Sequence, residues 1–176
     1  MLGKLRTLYK ALYLKRLVKH GLTLGSNFQM EKGCNIDANF PWLVTIGNNV
    51  TFASHVAVIA HDGSTQKLIG YSKVGKVTVG DDVFVGYGSM ILPNVTIGDG
   101  AIIGANSVVT KDVAPGMVAV GSPAREIMTA TEFADRAKTF TAGRGPYGEG
   151  YLRYNITPER IEKMRSELEG GMGLIL

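Results

Sequence analysis

The sequence predicts an all-β chain with terminal helices: a single-stranded parallel β-helix built from hexapeptide repeats. Three observations lead there. A six-residue period runs unbroken from Val79 to Ala114, the same period recurs in pieces from Leu24 onward, and helical patterns are confined to the two ends of the 176-residue chain.

Written in sixes from Val79, the repeat reads VGDDVF, VGYGSM, ILPNVT, IGDGAI, IGANSV, VTKDVA. An aliphatic residue opens each hexad, at Val79, Val85, Ile91, Ile97, Ile103 and Val109. The fifth place is small or aliphatic throughout (Val83, Ser89, Val95, Ala101, Ser107, Val113), and glycine takes the second place in four of the six. A period of six does not supply the 3.6-residue spacing of an α-helix. A short strand followed by a tight corner does fit it. Three such units make a triangular coil, and each strand stacks on its counterpart one coil away at about 4.8 Å. The opening aliphatics then form inward ladders. The glycines and the Asp and Asn pairs fall at corners, where left-handed backbone is cheap for Gly and tolerable for Asn or Asp.

Upstream, Leu24, Met30 and Ile36 keep the step of six, as do Ile46, Phe52 and Val58. Ile36 to Ile46 is ten residues, so four extra residues in Ala38–Trp42 should form a small loop thrown out from a corner. Val58 to Val79 is 21 residues, three more than one coil. The stretch 62–76 lacks inward aliphatics at the expected places and should project as an excursion, the kind of insertion that commonly builds a solenoid's binding face. About five coils are expected between Leu24 and Val120.

The expected organisation is a basic amphipathic helix over 1–22, the β-helix over 23–128, and a helical extension with a tail over 129–176. In the leading segment Leu2, Leu5, Leu8, Tyr9, Leu12 and Tyr13 recur at helical steps. One reading packs this stripe on the first coil to close its open end; the other adds contact with an anionic membrane surface. At the far end, Thr157 caps a helix that has Pro158 in its first turn, Ile161, Met164 and Leu168 forming its apolar stripe. Thr131–Phe140 is helical in character, Arg144–Gly150 reads as a loop, and the last seven residues show no persuasive period.

Composition narrows the function. The formal charge is +4, yet the first twenty residues carry six Lys or Arg and no acid, which leaves the rest slightly acidic. A body of that sign argues against nucleic acid lying along it. Glycine, at 23 residues, is roughly twice its ordinary share. The single Cys34 excludes an internal disulfide and suits a reducing compartment, and neither a secretory signal nor an apolar run of membrane-spanning length is present. The expected location is therefore cytoplasmic, with the basic helix offering peripheral contact at the inner face of the membrane.

Three histidines are available for chemistry. His20 belongs to the basic helix or its exit, and His55 takes the fourth, outward place of a hexad. His61 ends the coil strand Val58–Ala60 and stands beside Asp62 at the mouth of the excursion. A neutral imidazole there can accept a proton from a hydroxyl or an amine; an ordinary strand-end histidine is the plainer alternative. No second His, Cys or close acid gives ligand spacing, so no metal centre is expected. No serine sits in a nucleophile elbow, and no glycine-rich phosphate loop is present.

The hexads, the His61–Asp62 pair before an excursion, and the run ILPNVTIGDGAIIGANSVVTKDVAPGMVAVGSPAR from Ile91 to Arg125 resemble the hexapeptide-repeat acetyltransferases. The resemblance covers residues 24–128, and the maltose and galactoside O-acetyltransferases and the acetyltransferases of surface polysaccharide pathways look nearest. It implies a left-handed coil, where ordinary crossover rules favour the right. It also implies acetyl-CoA as co-substrate and a homotrimer with its sites between adjacent β-helices. His61 matches the histidine that deprotonates the acceptor during direct transfer. Asp37 and Asn39 match positions that orient that histidine or the acceptor, and Asp62 and Tyr71 of the excursion join them as acceptor-side candidates. Tyr87, Ala105, Ser107 and Thr110 match the pantetheine groove, and Lys111 and Arg125 match basic residues near the coenzyme phosphates. Met128 departs from the pattern, since the sugar acetyltransferases often have another basic residue there. Gly86 and Gly88 permit close approach of an oxyanion without deciding which N–H would donate.

The favoured function on this resemblance is acetyl-CoA-dependent O-acetylation of a small or lipid-linked saccharide, such as a precursor of surface polysaccharide. N-acetylation of an amino-sugar or its nucleotide conjugate is the alternative enzyme, with serine and xenobiotic acetyltransferases sharing the fold. A non-catalytic β-helix scaffold is the alternative of a different class.

Overall fold

Strands of two or three residues cannot hold themselves in place, so this fold depends on what stacks above and below each one. The computed structural model describes the backbone of residues 2–141 and 143–176 and the side chains from Leu8 on. Three parallel sheets form the walls of the coil. The first contains Thr23–Leu24, Val44–Ile46, Val77–Val79 and Val95–Ile97. The second contains Gln29–Met30, Thr51–Phe52, Phe84–Val85, Ile102–Ile103 and Met117–Gly121, the last folded back antiparallel onto Ala124–Thr129. The third contains Asn35–Ile36, Ala57–Val58, Met90–Ile91 and Val108–Val109.

Register places the expected ladders inside. Ile46, Val79 and Ile97 stack in the first wall, Phe52, Val85, Ile103 and Ala119 in the second, and Ile36, Val58, Ile91 and Val109 in the third. All eleven are 1% exposed or less. Burying each large aliphatic is worth about 1.5–3 kcal/mol, so the ladders and not the short hydrogen-bonded strands dominate the stability. The fifth-place residues line the same interior. Two of them are polar and both are satisfied: Ser89 Oγ donates to the Gly104 carbonyl at 2.8 Å and accepts the Ser107 N–H at 3.2 Å, while Ser107 Oγ accepts the Gly121 N–H at 3.0 Å.

Corners use the fourth place of the hexad. Asn27, Asn49 and Asp82 all have φ of 55–56° and stack side chain on side chain, Asn27 donating to Asn49 and Asn49 to Asp82, each at 3.0 Å. The second-place glycines answer a different need. A Cβ on Gly86 would come within 2.5 Å of the Ala105 nitrogen, so successive coils can approach only because none is there.

The period slips where the sequence says it should. After Asp37 the chain makes a turn of 3-10 helix at Pro41–Leu43 before rejoining the first wall. After Val58 it leaves through His61–Asp62, which pairs antiparallel with Lys73–Val74; a 3-10 turn at Gly63–Thr65 and one helical turn at Gln66–Ile69 lie between. The excursion is thus a hairpin with a small helical tip, not an irregular loop.

The leading helix spans Leu2–Lys19. Its packed stripe differs from the expected one: Tyr13, Leu14 and Leu17 lie against the core, whereas Leu8, Tyr9 and Leu12 are exposed. Leucine occurs around much of this helix, so spacing alone does not single out one face. The side chains of Leu2 and Leu5 fall outside the described residues. No described helix is long and apolar enough to cross a membrane.

The chain divides into two compact units, Met1–Ala130 and Thr131–Leu176. One helix, Ala130–Phe140, starts at the last residue of the first unit and continues in the second; another spans Pro158–Leu168, and Thr157 caps it by accepting the Arg160 N–H. The stretch read as a loop holds the second unit's most buried aromatic. Tyr147 is 3% exposed, its hydroxyl donates to Glu167 at 2.9 Å, and its backbone bonds Leu174 and Leu176. The tail without a period is therefore tied down by main-chain bonds.

Candidate active site

The two insertions leave the coil at one corner and bring their first residues together. Ile36 pairs with Val58 in the third wall, so Asp37 follows one rung and the Ile59–His61 segment follows the next. Asp37 Oδ2 lies 2.5 Å from His61 Nδ1. The same oxygen accepts the Ala60 N–H at 2.9 Å, and Oδ1 accepts the N–H groups of Asn39 at 3.0 Å and Phe40 at 3.3 Å.

Asp37 is 5% exposed, and burial alone would push its carboxyl up. The hydrogen bonds from His61, Ala60 and Asn39 outweigh that and hold it below the ordinary carboxylate value. An ionised carboxylate at 2.5 Å accepts a hydrogen bond from the Nδ1–H of the imidazole. That fixes the tautomer and leaves Nε2 as the basic nitrogen. The His61 side chain is 35% exposed, against 3% for Asp37. The imidazole thus faces outward and the carboxylate bonded to it does not. The Phe40 ring lies against the imidazole with centroids 5.1 Å apart, restricting its rotation from the side.

A cleft of about 540 Å³ opens on this pair. Asp37, Asn39, His61 and Asp62 line it, with Asn35 beside them and Leu92 and Pro93 from the next coil. Asn39 contributes to the dyad through its backbone and leaves its amide exposed to the cleft. Asp62 is held by Lys73 Nζ at 2.6 Å and by the Ser64 N–H at 2.8 Å, and the Lys73 ammonium with Ser64 keeps its carboxyl well below the usual range. It pins the base of the excursion hairpin. Tyr71 stands apart: it is 75% exposed, and its carbonyl accepts from the Thr65 hydroxyl within the excursion.

Comparison with known proteins agrees with this architecture. A family model described as bacterial transferase hexapeptide, six repeats, matches residues 76–111. Over its coil the chain is similar to the left-handed β-helix acetyltransferases built from this repeat. It is 38% identical over 102 residues to YvoF of Bacillus subtilis, provisionally named an acetyltransferase, which is 58% of this chain and 57% of that one. Among solved structures, a maltose O-acetyltransferase from Clostridium difficile 630 superposes with a TM-score of 0.56 at 38% identity, covering 62% of this chain and 59% of the other. The serine acetyltransferase of Neisseria gonorrhoeae gives 0.52 at 28% identity, covering 66% and 42%. The chain thus spans 57% of the length of YvoF and 59% of that of the maltose O-acetyltransferase.

The similarity to these hexapeptide-repeat proteins carries the left hand of the coil. The residues expected along a coenzyme groove fall into two groups. Tyr87, Ala105, Thr110, Lys111 and Arg125 are all exposed. Tyr87 packs edge-on against His55 at 5.3 Å, and Arg125 reaches back to the Ala124 carbonyl at 2.8 Å in the final hairpin. Ser107 is different, fully buried with its hydroxyl committed to the Gly121 N–H, because the fifth place of a hexad faces inward. Its side chain supports the coil and does not reach a groove. Gly86 and Gly88 are likewise committed, their N–H groups donating to the carbonyls of Ile103 at 2.7 Å and Ser54 at 2.9 Å. Neither is free to serve as an oxyanion donor.

Three contributors carry no signal of their own in the sequence. Phe40 packs on His61, the Ala60 N–H shares Asp37 with it, and the Tyr13 hydroxyl brackets the backbone of Ile36 next to Asp37. Only Phe40 could have been suspected, as an aromatic inside a break in the period.

Proposed function

We propose that this chain is an acetyl-CoA-dependent acyltransferase that O-acetylates a saccharide by direct transfer, with His61 as the general base. The observation that carries the reading is the Asp37–His61 pair, a buried carboxylate 2.5 Å from an outward-facing imidazole at the mouth of a cleft. Acetyl-CoA supplies an activated acetyl group on a thioester. His61 Nε2 takes the proton of the acceptor hydroxyl as its oxygen attacks the thioester carbonyl. Asp37 stabilises the imidazolium that forms, and His61 returns the proton to the departing thiolate sulfur. Holding both reactants in one cleft supplies much of the advantage without a covalent enzyme intermediate. Exposed Tyr87, Lys111 and Arg125 suit the coenzyme side, where cations meet phosphates.

The saccharide half of the proposal is supported by the similarity to a maltose O-acetyltransferase at 38% identity, against 28% for a serine acetyltransferase. A homotrimer with sites between adjacent β-helices belongs to the same reading. Its support is the excursion, where Leu68, Ile69, Tyr71 and Val74 are 55–81% exposed and need cover. The leading helix leaves Leu8, Tyr9 and Leu12 exposed among basic residues, a composition that favours contact with an anionic lipid surface.

The test is thiol release from acetyl-CoA in the presence of a saccharide panel and of serine, with the acetyl position read by NMR. An O-acetylated sugar that disappears with His61→Ala, while coenzyme binding persists, supports the proposal. Full activity in that variant refutes the mechanism, and turnover with serine alone refutes the acceptor class.

A further inference from the structure

Four apolar residues in a row, Phe40, Pro41, Trp42 and Leu43, follow the Asp37 turn. Three of them face inward: Pro41 is buried, and Phe40 and Leu43 pack against the core. Trp42, the single tryptophan of the chain, is 59% exposed. Scattered exposed apolar residues are ordinary and need no explanation. This one differs in how firmly it is held and in what stands beside it.

The indole sits on a built mount. Leu43 N–H donates to the Phe40 carbonyl at 3.0 Å, the Val44 N–H closes on Pro41, and Trp42 Cβ lies so near Gly21 that a Cβ there would approach to 2.8 Å. The indole meets Phe40 edge-on with centroids 5.5 Å apart, and Phe40 in turn lies 5.1 Å from the His61 ring. A row of three rings therefore runs from the surface to the imidazole. The row meets the cleft at His61, which lines it together with the amides of Asn35 and Asn39, while Phe40 and Trp42 lie outside that lining.

That pairing of a rigid aromatic face with a polar fringe matches one chemistry well. A pyranose presents a face of slightly positive C–H groups and a rim of hydroxyls. The first complements the negative face of an indole, and the second needs hydrogen-bonding side chains. Serine and small amines have no such face. Phe40 stands between the indole and the imidazole, so a sugar ring on Trp42 is the neighbour of the ring whose hydroxyl reaches His61.

We infer that Trp42 is the platform for a second sugar ring, and that the acceptor is an oligosaccharide or a glycoside rather than a free monosaccharide. This rests on the reading of the cleft as a saccharide O-acetyltransferase site. Because Trp42 is the only tryptophan, its fluorescence reports on the platform directly. The unmodified protein is titrated with maltose, lactose, cellobiose and chitobiose, with their monosaccharides as controls, and turnover is followed in parallel. One disaccharide should change the emission saturably where its monosaccharide does not. For that sugar Trp42→Ala should raise KM by about tenfold or more with kcat little changed, and Trp42→Phe should restore most of the affinity. Trp42→Ala retains the Cβ that packs on Gly21, so the mount survives. Saturable acetylation of a disaccharide with unaltered emission and unaltered KM in Trp42→Ala overturns the platform and leaves the O-acetyltransferase reading standing. Turnover with serine and with no sugar overturns both.

Discussion

Asp37 and His61 are 24 residues apart in the chain and 2.5 Å apart in space, and the carboxylate that joins them serves four donors at once. Asparagine at position 37 keeps the size but offers one acceptor oxygen and places an NH₂ among N–H groups. Asp37→Asn should lower stability by about 1–3 kcal/mol, since at least one buried donor goes unsatisfied. It should also lower kcat by about 10²–10⁴, because nothing then holds the imidazole in its productive tautomer or balances the imidazolium. Urea unfolding and steady-state kinetics read the two effects separately. A variant with ordinary kcat would rule out the orienting role.

The same carboxylate sets an acid limit on the fold. Its value in the folded protein lies below the ordinary one, so the unfolded chain binds the proton more tightly. The stabilisation from ionised Asp37 is fully present above the unfolded value of about pH 4, and it fades as pH falls through the lower folded value. The stability gap between the unmodified protein and Asp37→Asn should therefore hold steady from neutral pH to about pH 5 and narrow below about pH 4. Unfolding curves across that range check it. A gap that widens on acidification would mean the folded carboxyl is raised instead.

Ile91 tests where the stability resides. It is fully buried and stacks between Val58 and Val109 in the third wall. Ile91→Ala should cost about 2–5 kcal/mol, as coils held by their neighbours have little freedom to collapse into the space. Thr96, exposed between buried Val95 and Ile97, is the control. Thr96→Ala should change stability by no more than about 0.5 kcal/mol. Equal losses at the two positions would contradict the inward ladder.

These ladders are readable from sequence because one physical requirement repeats: a residue every six positions must be apolar to close the core. The breaks at Ala38–Trp42 and 62–76 are readable for the same reason, as places where that requirement lapses. What lies inside the breaks is not. Sequence offers Asp37 and Asn39 as equals, and only the coil register shows that the carboxylate of the first reaches His61 while the second gives its N–H. Ser107 looks like a groove residue by resemblance, yet its place in the hexad turns it inward. Tyr147 and the tail at Leu174 pair across nearly thirty residues with no local pattern to announce it. Contacts between distant segments leave a trace in sequence only when a repeat enforces them.

Tyr13 makes a distant contact that no repeat enforces. The rung Asn35–Ile36 is the edge of the third wall, with no earlier strand to bond it. Tyr13 from the leading helix takes that role, its hydroxyl accepting the Ile36 N–H at 2.8 Å and donating to the Ile36 carbonyl at 3.1 Å. Burial pushes the phenol up, so it stays protonated and able to donate at neutral pH. Phenylalanine keeps the ring packed on the core but leaves both backbone groups without a partner, at a cost of about 1–3 kcal/mol. Because Asp37 is the next residue, the loosened edge should also reach the dyad. Tyr13→Phe is expected to speed amide exchange at Ile36 and Asp37 and to lower kcat while KM for acetyl-CoA stays near its original value. Exchange confined to the helix, with the Ile36 amide still protected, would show that the edge holds without it.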